Sequence, residues 1–299
     1  MGPRGGNLPT TVPTPTFALT PPAYVGGFNA AFSPSGLAIA GGTTYVAEAD
    51  DNSTTTEVQV FAAGSTVSWT SYGVTVFQSL SGVASNSAGT TIYVLDAGDG
   101  ENDGTAAVYA FTSAGATITS WNGYGSTKFY DPYNLTVDAL GNVYVADTYN
   151  NQVEEFGPTG NPTATWTKYN GVSFDGPSAV AFDGSGNLYV GDLGNGVADE
   201  FSGTNLQTSA YQWTLDTGCY IVGLAVDGSG NLYVADYGYE QSGQLDPNFG
   251  NGLIEEYGPN GGPQLTAWSH GTNFGPVAVL LSGGSIWAAD NNNDVIDQF

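Results

Sequence analysis

One phrase recurs along this chain at a spacing that few folds accommodate. Gly230-Asn231-Leu232-Tyr233-Val234-Ala235-Asp236 has close counterparts at 186–192 and 141–147, and weaker ones at 91–96, 43–48 and 285–290. Aligned on the aromatic, the copies fall at Tyr45, Tyr93, Tyr144, Tyr189, Tyr233 and Trp287, separated by 48, 51, 45, 44 and 54 residues. Units of this length, rich in short β-type runs and Gly/Asn turns, cannot bury a hydrophobic face alone and must stack on their neighbours. The period predicts an all-β, six-bladed β-propeller of four-stranded blades. An array filling most of 299 residues favours one repeat domain over two separate ones.

Each unit carries four strand signals. In the fourth, Ala179–Phe182 is predicted to be the innermost strand, and Asp183-Gly184-Ser185-Gly186-Asn187 a hairpin turn. Leu188–Asp192 follows as the second strand, Val197–Phe201 as the third and Ser209–Leu215 as the outer one. Third strands end in Phe61, Phe111, Phe156, Phe201, Tyr257 and Phe299, six aromatics. Outer strands carry Trp69, Trp121, Trp166, Trp213 and Trp268, only five, because the chain stops at Phe299. An uncovered strand edge is a template for pairing, so some segment must complete the sixth blade.

The segment predicted for that task lies in residues 1–30, a Pro/Thr-rich extension ahead of a propeller spanning 31–299. Thr14-Pro15-Thr16-Phe17-Ala18-Leu19-Thr20 reads as the strand, with Phe17 standing in for the missing tryptophan and Pro15 tolerable at an edge. Its acceptor is the edge Val295-Ile296-Asp297-Gln298-Phe299. Pairing with the chain's own last blade closes the ring. Pairing with a neighbouring subunit's last blade adds a strand head to tail and builds a filament.

Charge narrows the partners. Arg4, Lys128 and Lys168 face 28 acidic side chains, a formal charge of −25. Such a surface repels phosphate backbones and anionic membranes, so nucleic acid is excluded as a partner. No apolar run reaches about 18 residues, so no membrane-spanning helix is expected. Solvation by Asn, Ser, Thr and Gly suits a secreted, extracellular protein, although Met1–Gly6 shows no apolar signal core. Cys219 is alone, which leaves no intrachain disulfide.

Three units resemble a known family. Tyr144-Val145-Ala146-Asp147-Thr148-Tyr149-Asn150-Asn151-Gln152-Val153-Glu154-Glu155-Phe156, with 177–192 and 224–236, resembles the NHL-repeat family of six-bladed propellers. The resemblance covers about residues 31–299 and is carried by units three to five. It implies the fold. Members include ectodomains, protein- and RNA-binding modules and metal-dependent lyases, so function has to come from sites.

Glu48, Asp96, Asp147, Asp192, Asp236 and Asp290 form a ring, one per unit, at the ends of second strands. A carboxylate there is expected to accept backbone N–H bonds in the following turn rather than to hold metal. The loop 99–104 resembles a calcium loop, with Asp99, Glu101 and Asp103 as oxygen ligands and Gly104 at the sixth position. Calcium is thus the one candidate cofactor, and none is required. Loops joining second to third strands, and loops joining blades, emerge on one face. There Tyr72, Tyr124, Tyr130, Tyr133, Tyr169 and Phe274 are candidates for stacking on a glycan or docking an extracellular protein, unless they fold down between blades. Asn52 and Asn134 fit the N-glycosylation pattern.

His270 is the only histidine, so a histidine-rich zinc site of the kind the family's lyases use is not available. The expected function is therefore a non-catalytic, secreted structural protein that polymerises with itself by strand donation. A closed binding propeller is the first alternative, and a calcium-dependent lactonase- or lyase-type enzyme the second.

Overall fold

The computed structural model describes residues 24–30, 33–48, 56–62, 65–69, 77–99, 104–203, 206–215, 219–238 and 251–299. They form six four-stranded antiparallel sheets arranged as the blades of a β-propeller, with one three-residue helical turn at Thr148–Asn150. The innermost strands are Pro34–Ala40, Leu80–Ser85, Asn134–Val137, Pro177–Phe182, Ile221–Val226 and Pro276–Ser282. Blade four then continues through Leu188–Asp192 and Val197–Phe201 to Ser209–Thr214, and the other blades follow the same order. Two small hairpins, Gly123–Tyr124 with Thr127–Lys128 and Lys168–Tyr169 with Val172–Ser173, ornament the links leading into blades three and four.

The turn sequences explain the first hairpin of blades three, four and five. Asp183 Oδ1 accepts the Ser185 and Asn187 N–H groups at 2.9 and 2.8 Å, and Asn187 Nδ2 donates back to Asp183 Oδ2 at 2.8 Å. Asp138 with Asn142 and Asp227 with Asn231 repeat this turn. Local side chain to backbone bonds of this kind hold the chain in a reversal without tertiary help.

Packing runs between blades. Within a blade, the second-strand tyrosine lies against the outer tryptophan: Tyr144 on Trp166 and Tyr189 on Trp213, with ring centroids 5.7 and 5.6 Å apart. The tryptophan then reaches across. Trp166 Nε1 donates to the Leu206 carbonyl at 2.6 Å, and Trp213 Nε1 to the Gly258 carbonyl at 2.8 Å, each in the next blade. Towards the axis, space is tight. A Cβ on Gly36 would sit 2.8 Å from the Gly82 Cα, so glycine lets the first two inner strands approach.

The sixth blade is completed from within the chain. Gly26–Asn29 pairs antiparallel with Val295–Gln298, placing Gly26 opposite Gln298 and Asn29 opposite Val295. Phe28 falls opposite Ile296, the register that Trp166 holds opposite Val153 and Trp268 opposite Ile254. The predicted edge at 295–298 is therefore covered, but by a strand about ten residues beyond the predicted one. Thr14–Thr20, Phe17 among them, lie outside the described residues. The closing strand also starts inside the 1–30 extension, so part of that extension belongs to the propeller's sheet.

Candidate functional site

The carboxylate ring is structural, by a route the sequence reading had only partly seen. Asp147 Oδ1 accepts the Tyr130 N–H at 2.8 Å, and Asp192 Oδ1 the Asp175 N–H at 2.8 Å. Asp236 binds Tyr220 N–H and Asp290 binds Gly275 N–H in the same way, while Asp96 binds Gln78 and Ser79. The donors lie in the link entering the blade. Asp96 and Asp236 add a backbone donor from the following turn, the Gly98 and Gly238 N–H groups. The D-x-x-N pattern completes the lock: Asn150 Nδ2 donates both to Asp147 Oδ2 at 2.7 Å and to the Lys128 carbonyl at 2.8 Å. Asn195 and Asn293 do the same for Asp192 and Asp290.

A second set of acids lies one strand further out and was not foreseen. Opposite Val145, Val190, Val234 and Ala288 stand Glu154, Asp199, Glu255 and Asp297, all buried. Burial pushes the Glu154 carboxyl up to about 8, helped by the charge of Asp147 and opposed by the Gln152 amide. Burial likewise raises Asp199 to about 7, against Gln212, whose Nε2 donates at 2.6 Å. Asp147 itself rises to about 6, again through burial. Neighbouring buried carboxyls cannot both ionise cheaply, so the Asp147–Glu154 pair retains a proton near neutrality. Their pattern was legible as an acid two residues before the third-strand aromatic, in VEEF, ADEF and IEEY.

The single histidine takes part in one of these pairs. His270 Nδ1 lies 3.0 Å from Asp297 Oδ1, and Tyr24, just ahead of the closing strand, stacks on the imidazole at 3.9 Å. Cys219, Asp236 and Glu255 offer ligand atoms within 4.8 Å of one another, all buried. Glu255 also accepts from Tyr257 and Gln264, which occupies both of its oxygens. Of the predicted calcium loop, Glu101 and Asp103 lie outside the described residues. Asp99 is exposed, and its Oδ1 accepts from Thr105 Oγ1 at 3.3 Å.

The aromatic face divides. Phe274 and Tyr169 are core side chains, and the Tyr169 hydroxyl donates to the Tyr211 carbonyl at 2.7 Å. Tyr124 packs against Phe156. Asn134, a predicted glycosylation position, stands in the channel wall, with its Oδ1 3.4 Å from the Val180 N–H. Tyr72 and Asn52 lie outside the described residues. Tyr130 and Tyr133 are half-buried: Tyr133 packs against the core, and Tyr130 lies 5.1 Å from Tyr149.

Two concavities bear on ligand binding. The central channel, about 410 Å³, is walled by aliphatic side chains of the inner strands, Leu37, Val83, Leu135, Val180, Leu224 and Val279 among them. The second, about 340 Å³, opens beside the channel mouth on the face where the inter-blade links emerge. Tyr133, Tyr149 and Tyr220 supply its rings, and Thr148, Asn151, Asp175 and Ser178 its other polar side chains. Tyr133 is hydrogen-bonded to Tyr220, and burial together with that bond drives its hydroxyl well above the ordinary tyrosine range. It therefore stays protonated as a donor. Asp175 is an exposed carboxylate. Tyr149, Asn151, Asp175 and Tyr220 were not among the predicted residues. Tyr149 sits in the motif Y-V-A-D-T-Y-N, read for its fold rather than for its exposed ring.

Among the solved structures that share the fold are three lyase structures. A selenomethionine-substituted virginiamycin B lyase from Staphylococcus aureus superposes with a TM-score of 0.61 at 13% identity, covering 92% of this chain and 87% of that one. A streptogramin B lyase gives 0.61 at 11% identity, over 92% and 96% of the two chains. A catalytically inactive virginiamycin B lyase from Staphylococcus aureus with quinupristin gives 0.61 at 12%, over 92% and 87%. No protein-family model matches the chain, and no curated protein does. At these identities the likeness establishes the six-bladed fold and nothing finer.

The expectation of a structural filament is overturned on two counts. The edge it needed is filled by the chain's own Gly26–Asn29. The three solved propellers described above are also lyases, so repeats and a single histidine do not ground reading the chain as a non-enzyme. Sequence reasoning had tied catalysis to histidines. The pocket instead offers the Asp175 carboxyl group and three tyrosine hydroxyls.

Proposed function

We propose that the protein is a lyase-type propeller enzyme, with its active site in the tyrosine-lined pocket beside the channel mouth. The observation that carries this reading is the convergence of Asp175 with Tyr133, Tyr149 and Tyr220 on one cavity of about 340 Å³. The likeness to streptogramin B lyases supports the reaction class. A lyase removes a proton from one carbon while the leaving group departs from its neighbour and a double bond forms. A base and a proton donor within one site are what such an elimination requires. In this reading Asp175 takes the proton, and the Tyr220 hydroxyl, which accepts from Tyr133, donates its own proton to the departing group. The D-x-x-N locks and the hairpin turns also support NHL-type repeats as the units from which the fold is built.

Incubation with quinupristin, followed by mass spectrometry in ¹⁸O water, tests the proposal. An unsaturated product without ¹⁸O uptake, lost in Asp175→Asn, is the expected result. Incorporation of ¹⁸O would assign a hydrolase instead, and an unchanged substrate at high enzyme concentration overturns turnover of this compound. A ligand-binding propeller without turnover is the second reading, favoured by a lining that contains no histidine. Calcium at Asp99, Glu101 and Asp103 is a separate proposal. Calorimetry of wild type and Asp103→Ala decides it, and no heat in either removes the site.

A further inference from the structure

We propose that the ligand of this pocket is an organic cation, a small molecule carrying a tertiary or quaternary ammonium group. The inference rests on the pocket proposed above as the active site and names the class of compound it takes. Three features of the cavity point the same way. Tyr133, Tyr149 and Tyr220 line it, and the negative quadrupole of an aromatic face attracts a cation within about 6 Å of the centroid. Tyr149 is 60% exposed yet backed by Tyr130 at 5.1 Å and 30°, so the outer ring is supported while its other side faces solvent. The Tyr133 hydroxyl is held by Tyr220, which takes one phenolic donor out of reach of an anion.

Charge completes the argument. Asp175 places an acidic side chain on the wall, and the charge of Asp131 acts on Tyr133. No Lys, Arg or His lines the cavity. Of the two lysines in the described residues, Lys128 is bonded to Asn122 at 2.7 Å and Lys168 lies on the hairpin 168–173, and neither contributes to the lining. An anion would meet Asp175 unneutralised inside a molecule of formal charge −25. A cation is drawn in by the same field, with a salt-dependent rate. The central channel differs in both respects: its wall carries no carboxylate, and Phe182 is its one aromatic ring.

Choline and its neutral isostere 3,3-dimethylbutan-1-ol are the probes, titrated by calorimetry into the full chain. Choline is expected to bind about tenfold more tightly than the alcohol, and more weakly as sodium chloride is raised. Tyr149→Ala and Asp175→Asn should each remove most of that preference while leaving the melting temperature unchanged, because both side chains are exposed. Equal affinity for the two probes, no binding of either, or a preference untouched by Tyr149→Ala overturns the inference. The elimination assay is read separately. Selective choline binding without turnover refutes the lyase reading alone, and turnover without choline preference refutes the cation alone.

Discussion

At the scale of single residues, the buried carboxyls govern how the protein responds to pH. Glu154, Asp199 and Asp147 have folded values of about 8, 7 and 6, each above the unfolded range near 4. Between those limits the folded state binds more protons than the unfolded one, so their contribution is fully present below about pH 4. It is lost as pH rises through 6 to 8. Urea unfolding is expected to show stability falling by on the order of a few kcal/mol from pH 5 to pH 9. Glu154→Gln and Asp199→Asn, which keep a hydrogen-bonding group of similar shape, should flatten that slope. An unchanged slope in the double variant rejects the assignment. Gly36 supplies a steric counterpart. Gly36→Ala forces its Cβ against the Gly82 backbone, and a loss of about 1–3 kcal/mol is expected in the same urea experiment.

At the scale of elements, the closing strand and the outer tryptophans hold the ring. Gly27 faces the Ile296 carbonyl so closely that a Cβ there would run into it. Gly27→Val should therefore dislodge Gly26–Asn29 and expose the edge of blade six, read as a lower melting temperature and concentration-dependent association in light scattering. A pair of truncations separates this strand from what precedes it. Removing residues 1–29 is expected to lower the melting temperature relative to removing 1–23, and equal melting of the two would deny the strand its role. Trp213 makes the matching prediction between blades. Trp213→Phe keeps a ring but leaves the Gly258 carbonyl without its donor, at a cost of about 1–3 kcal/mol. The legibility of these elements differed for a simple reason. Tryptophans spaced by the repeat could be counted, whereas Phe28 competed with Phe17 for one vacancy, and periodicity cannot choose between two extended segments ten residues apart.

For the molecule as a whole, net charge acts in the same direction as the buried pairs. With 28 acidic and three basic side chains, self-repulsion eases as pH falls or salt rises. Added salt at pH 8 should therefore raise stability while leaving the pH slope from the buried carboxyls in place, since screening reaches them poorly. The repeat period, strand order and turn chemistry determined the six-bladed ring from sequence alone, because each follows from local alternation and from side chains bonding to backbone a few residues away. The pocket was not readable in that way. Tyr133, Tyr149, Asp175 and Tyr220 come from three successive blades, and only the closed curvature of the ring brings them to one cavity. Tertiary packing likewise decided which aromatics sank into the core, as Phe274 and Tyr169 did, and which segment sealed the last blade. Both outcomes depend on shape complementarity between residues far apart in the chain, a quantity that local pattern does not carry.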